Sequence, residues 1–246
     1  MYYRTREVLK SESEKELAPG RDRGLEQPAW LKDYSREGEI LDLPEPDEGL
    51  LVKGELHRAL LDRETCRLYS GEGLGLEEVS YLLKMTQGVR AIREDNRTLK
   101  RYVPSASGRH SFESYIIANR IEGLERAVYR YLPLDHQLLL VRREEDLEAS
   151  LVEAVNGQSF AAQADLILVW AAKPARMEWR FGSQAYKMIL LDGGHIGQNM
   201  YLAAEGLGLG ACVLADYDQE KLDRLIGVDG EDEISTYIGL CGRKKL

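Results

Sequence analysis

The stretch Glu205-Gly206-Leu207-Gly208-Leu209-Gly210-Ala211-Cys212-Val213-Leu214 sets three glycines at alternate positions between two apolar runs. A dinucleotide-binding glycine loop has similar composition but follows a strand and opens a helix. Here the order is reversed. The residues before it, from about 184 to 205, read as a long, mostly apolar helix, and those after it, 211–217, as a short strand or loop. Gly206 and Gly208 therefore end a helix, Gly210 permits a close backbone approach, and a doubly wound nucleotide fold is excluded.

Working outward, the patterns change type along the chain without a regular βαβ rhythm. Leu56, Leu60 and Leu61 share one face of a short helix. Leu76, Val79, Leu82, Leu83 and Met85 have helical spacing, with Gly88 as the stop. Residues 112–121, 127–132 and 137–142 read as strands. A helix follows at 146–155, a fully buried strand at 164–172, an amphipathic helix at 218–227 and a last strand at 234–241. Helices and strands so mixed predict an α+β fold.

Residues 1–55 differ. They hold four of the seven prolines (Pro19, Pro28, Pro44, Pro46) and many charges. This predicts an extended N-terminal arm with at most short helices, ahead of a domain spanning 56–246. Poor order is expected over the first twenty residues. Tyr2, Tyr3, Trp30 and Leu31 imply that the arm packs against something.

The formal net charge of −9 argues against a general nucleic-acid binder. No apolar run approaches the ~20 residues that span a bilayer, and the charged N-terminus lacks a signal-peptide core. Cys66, Cys212 and Cys241 form neither a disulfide framework nor a zinc site, so a reducing cytoplasm is expected. His57, His110, His136 and His195 make no metal-ligand pattern, and Ser105, Ser107 and Ser159 lack a hydrolase context.

Two segments carry chemistry. Arg63-Glu64-Thr65-Cys66-Arg67 offers two guanidiniums and a hydroxyl at alternate positions, a donor set for a phosphate monoester. Cys66, between them, is expected to turn inward. Pro104-Ser105-Ala106-Ser107-Gly108 is a small-residue loop that lets a flat ligand approach the backbone. A phosphorylated planar cofactor fits both, and FMN is the first candidate.

Taken in order, residues 60–89, residues 101–133, the run LLDGGHIGQNMYLAAEGLGLGACVLADYD and the terminal IGLCGRKK resemble the nitroreductase family of FMN-dependent oxidoreductases. The branch they resemble is that of the SagB-type dehydrogenases, which includes azoline oxidases of modified-peptide pathways. The resemblance implies an α+β nitroreductase-like fold, a mixed sheet flanked by helices, in an intertwined homodimer with FMN at its interface. It implies that Arg63, Thr65 and Arg67 grip the phosphate and ribityl chain, aided by Arg243 or Lys244. It also implies that Pro104, Ser105, Ala106 and Ser107 lie beside the partner's isoalloxazine ring, and that Val213, Leu214 and Ala215 approach its N5 edge.

The implied reaction is hydride transfer through flavin N5 to or from a small organic substrate, with NADH or NADPH as a possible donor. The lysine–tyrosine pair of the azoline oxidases aligns with Arg180-Phe181, neither of which can act as a base near neutral pH. Tyr186 and Lys187 are the alternative pair. Azoline dehydrogenation and flavin binding without turnover stand as the competing expectations.

Overall fold

A computed structural model describes residues 18–35, 38–46, 48–52, 55–93 and 98–245. The expectations for Tyr2, Tyr3 and nearly all of the first twenty residues fall outside these. The chain builds one seven-stranded sheet, a separate hairpin and six α-helices among the described residues.

The sheet is centred on two strands, β4 (Phe112–Ala118) and β7 (Leu166–Ala172), which are buried on both faces. Successive side chains leave a strand on opposite sides. Accordingly Leu166, Leu168 and Trp170 enter one core with Phe112 and Ile116, while Ile167 and Val169 enter a second with Tyr115 and Ile117. This explains why residues 164–172 read as an unbroken apolar run rather than an alternating one.

The first core is covered by α2 (Leu76–Gln87) and α5 (Ala185–Gly206); the second is covered by α3 (Leu147–Ala154) and α6 (Gln219–Ile226). Helix α1 (Leu56–Asp62) lies against α5 at the surface. Helix α4 (Pro174–Phe181) also packs on α5.

From one edge to the other the strands run β1 (Ile40–Asp42), β6 (Gln137–Arg142), β5 (Val128–Leu132), β4, β7, β9 (Ile234–Arg243), β8 (Leu209–Leu214). Each ladder is antiparallel. Parallel pairing among the described residues is limited to two isolated bridges, Thr65 with Ala211 of β8 at the far edge and Leu74 with Ile121. A hairpin, β2 (Val89–Arg93) with β3 (Thr98–Arg101), stands apart from the sheet.

The arm is tied down. Trp179 Nε1 donates to Leu25 O at 2.9 Å, Arg176 Nε to Ala29 O at 3.0 Å, and Lys32 Nζ to Tyr115 Oη at 2.6 Å. Lys32 also pairs with the buried Glu233 at 2.5 Å.

The glycine-rich stretch behaves as its order predicts. Helix α5 ends at Gly206, Gly208 takes the left-handed conformation at φ 73°, and β8 begins at Leu209.

Candidate functional site

The site begins at Gly210. A Cβ there would sit 2.6 Å from Cys66 Sγ and 2.8 Å from Cys66 Cβ. Only glycine leaves room for the Arg63–Arg67 segment to lie flat along β8. The Cys66 N–H then donates to Ala211 O at 2.8 Å, and Cys66 itself is half-buried against the second core. The segment is extended because it is docked on the edge strand β8.

Tyr201, on the last turns of α5, organises what this segment presents. Its hydroxyl lies 3.1 Å from Thr65 Oγ1 and accepts the Val213 N–H at 3.2 Å. Its ring carries the Arg63 guanidinium 5.3 Å from the centroid. Arg67 instead lies over Phe160, 5.8 Å from that ring's centroid, on the side of the second core. Thus Arg63 and Thr65 are brought together, and Arg67 is turned away from them.

Neither Arg63 nor Arg67 forms an ion pair among the described residues. In a chain with 42 acidic residues against 33 basic ones, two unneutralised guanidiniums on one short segment fit an anionic ligand. The hold on Arg67 is weak: an exposed cation–π contact contributes about 0.5–1 kcal/mol, against about 1.5–3 kcal/mol for a hydrogen bond to a charged group. A phosphate would therefore draw Arg67 off Phe160. The donor set fits the phosphate end of FMN.

The two C-terminal cations differ from each other. Arg243 is engaged by both oxygens of Glu78, at 2.9 Å each. Lys244 lies close to Gly210 and pairs with the buried Glu205 at 2.9 Å. Since Glu78 also accepts the Gly75 N–H at the start of α2, Arg243 is committed to that helix end.

The Pro104–Ser107 loop is anchored elsewhere on α5. Ala106 N–H donates to Asp192 Oδ1 at 3.1 Å, and His110 N–H donates to Ser105 Oγ at 2.8 Å. Asp192 and Tyr201 are nine residues apart, which on an α-helix is about 14 Å of rise and about half a turn of rotation. The loop and the arginine segment of one chain therefore attach to opposite sides of α5.

Val213 is half-buried and Ala215 exposed, at the end of β8. Tyr186 and Lys187 occupy the first turn of α5, both half-buried; adjacent helical residues point about 100° apart. Arg180 and Phe181 end α4. Among the described residues no cluster of His, Cys, Asp and Glu could hold a metal ion, and no helix is long and apolar enough to cross a membrane.

Tyr201 and Asp192 were not singled out by the sequence. The helix carries several other polar side chains, so neither stands out locally, and their partners Ala106 and Thr65 lie 86 and 136 residues away.

Comparison with known proteins agrees with this architecture. A protein of Methanocaldococcus jannaschii named as a nitroreductase is 32% identical over 184 residues, covering 74% of this chain and 88% of that one. The trifolitoxin-processing protein TfxB of Rhizobium leguminosarum bv. trifolii is 30% identical over 115 residues, 45% of this chain and 31% of TfxB. A crystal structure from Ralstonia eutropha JMP134, described as a nitroreductase, superposes with a TM-score of 0.69 at 26% identity, covering 90% of this chain and 95% of that one. The E. coli microcin synthetase McbBCD complex shares the fold, with a TM-score of 0.62 at 20% identity over 76% of this chain and 73% of that one. The model of the Nitroreductase family matches residues 60–243, and the chain belongs to that family.

Proposed function

We propose that this chain is an FMN-dependent oxidoreductase of nitroreductase type, of the SagB-like branch, acting on a small organic substrate in the cytoplasm. The observation that carries the proposal is the pair of unneutralised guanidiniums, Arg63 and Arg67, flanking Thr65 on a segment fixed to β8. When bound, FMN supplies hydride transfer at N5, with NADH or NADPH as the donor class. In this reading Arg63, Thr65 and Arg67 hold the phosphate and ribityl chain. Arg243 or Lys244 adds charge at the phosphate from the C-terminal end, each now paired with a carboxylate, Glu78 or Glu205. Val213, Leu214 and Ala215 border the ring, and the Val213 N–H is already donated to Tyr201.

The placement of the two binding segments on opposite sides of α5 supports a homodimer, in which each Pro104–Ser107 loop serves the other chain's flavin. Leu56, Leu60 and Leu61 on α1, with Leu190 and Leu191 on α5, are each more than half exposed and give such a dimer an apolar face. Residues 1–55 are in this reading an arm ahead of the 56–246 domain.

The test is an absorption spectrum of the purified protein, then anaerobic addition of NADH or NADPH. Flavin bands at about 370 and 450 nm, common to any flavin, are expected, with bleaching by the nucleotide. Arg63→Leu and Arg67→Leu should each weaken FMN uptake about 10- to 150-fold, the loss of one charge-assisted contact. A colourless protein that takes up no added FMN refutes the proposal; bands that never bleach favour a flavin binder without turnover.

The similarity to TfxB favours a second reading, dehydrogenation of a heterocycle in a modified peptide. Tyr186 and Lys187 are then the candidates for proton abstraction. A cyclodehydratase gene beside this one, and bleaching by a thiazoline or oxazoline peptide but not by NAD(P)H, would select it.

A further inference from the structure

The loop Pro104–Ser107 closes through two turn hydrogen bonds of its own, Gly108 N–H to Ser105 O at 3.0 Å and Arg109 N–H to Ala106 O at 3.1 Å, and is braced from outside as well. Ser107 and, just beyond, His110 adopt φ of 50° and 46°, a left-handed conformation that costs a non-glycine residue free energy and persists only where the surroundings impose it. Two side chains from outside the loop help to hold it. Arg176 Nη1, on α4, donates to His110 O at 3.2 Å. Asp192, on α5, accepts the Ala106 N–H through Oδ1 at 3.1 Å. The Ser105 hydroxyl accepts from His110 N–H, which leaves its own proton for Asp192, and that contact acts on the Asp192 carboxyl.

Asp192 is an unusual anchor. It is 3% exposed, on a helix face that otherwise buries Ile189, Gly193 and Ile196, and its second oxygen, Oδ2, has no hydrogen-bond partner among the described residues. A buried ionised carboxylate would need its lone pairs satisfied. Burial raises the Asp192 pKa from its ordinary value, opposed by the Ser105 and Ala106 contacts and by His195 one turn on. The loop backbone draws on one oxygen alone, Oδ1, so what it needs from Asp192 is a single acceptor rather than a charge shared over two oxygens.

We propose that Asp192 is a positioning residue that sets the Pro104–Ser107 loop against the flavin ring through a single acceptor, Oδ1, and that its charge is dispensable. The proposal rests on the FMN reading above. Residues 63–67 hold the phosphate independently of this loop, so Asp192 governs the ring's surroundings rather than the cofactor's affinity.

Two variants test it. Asp192→Ala removes the acceptor; Asp192→Asn keeps it and carries no charge. In the cofactor-free protein, hydrogen exchange of peptides covering 104–110 should speed up about tenfold in Asp192→Ala, as for one lost hydrogen bond, and stay within about threefold of the parent in Asp192→Asn. In the FMN-loaded protein, Asp192→Ala should shift the bound-flavin spectrum and slow reduction by about tenfold while the FMN Kd changes by less than about threefold. Asp192→Asn should reproduce the parent on each measure. Unchanged loop exchange in Asp192→Ala overturns the proposal. Exchange that rises across the whole chain also overturns it, by making Asp192 a general stability residue. An Asp192→Asn that behaves like Asp192→Ala overturns the claim that the charge is dispensable. A parent that takes up no FMN refutes the function reading alone, since the exchange comparison still decides whether Asp192 anchors the loop.

Discussion

Replacing Gly210 by alanine isolates the contact on which the phosphate-side segment depends. The added methyl would meet Cys66 Sγ at 2.6 Å, Cys66 Cβ at 2.8 Å and Lys244 Cγ at 3.1 Å. Gly210 lies in β8 with an ordinary strand conformation, so alanine itself is not strained there; by restricting the unfolded chain it would stabilise by about 0.4–1 kcal/mol. Overpacking costs about 1–3 kcal/mol. Overpacking wins, because two of the three close atoms are Cβ and Sγ of a residue pinned by its own N–H to Ala211 O. The net loss of up to about 2.5 kcal/mol corresponds to a fall in Tm of several degrees for a chain of this size, about 2–4 °C per kcal/mol. The segment can escape only by lifting off β8, which moves Arg63, Thr65 and Arg67 together. FMN affinity should therefore fall more than stability alone requires, and Cys66→Gly in the same chain should recover part of it by removing the facing side chain. Thermal unfolding and an FMN titration of the single and double variants measure both. A Gly210→Ala protein with parental Tm and parental FMN Kd would refute the reasoning.

Glu113 and Arg176 form an ion pair at 2.6 Å with both side chains 3% exposed, and the buried Arg101 guanidinium faces the same carboxylate. Breaking such a pair costs about 3–5 kcal/mol, and Glu113→Gln should cost more than Arg176→Met because it leaves two buried cations; denaturant unfolding of both variants would check the order. His110 is buried, its Nε2 lies 3.1 Å from Leu99 O, and burial with the nearby Arg101 brings its pKa down to about 3 from 6.5. Since the unfolded chain then binds the proton first, stability is full above pH ~6.5 and falls by up to about 1.4 kcal/mol per unit below it. Unfolding free energies at pH 7 and 5 should show that loss, and His110→Gln should reduce it.

The elements legible in the sequence are those whose apolar pattern answers to a core on one or both sides: the long helix ending at Gly206, the buried strand before Ala172, the amphipathic helix at 219–226. The hairpin at 89–101 was not legible, because Arg90, Ala91 and Ile92 are exposed and leave no alternation to read. Helix α4 was hidden for a different reason: it buries Arg176 through a carboxylate 63 residues away. The same limit applied to the site. Local spacing marks Arg63, Thr65 and Arg67 as candidates, but nothing local shows that Arg243 is already neutralised by Glu78, 165 residues distant, or that Tyr201 would join Thr65 to Val213. Cations and hydroxyls are visible in a sequence; whether they are already spoken for is a property of the fold.

The three-residue strand Ile40–Asp42 closes one edge of the sheet by pairing with Gln137–Leu139. An open strand edge presents unpaired N–H and C=O groups to any other extended chain. Shortening the protein to start at residue 56 would uncover that row along β6 and take Leu43 out of the first core, while leaving the arginine segment, the loop and the second core in place. Such a fragment would fail by templating its own self-association, at concentrations where the longer chain stays dispersed, and the fault would lie in a part of the molecule remote from its chemistry.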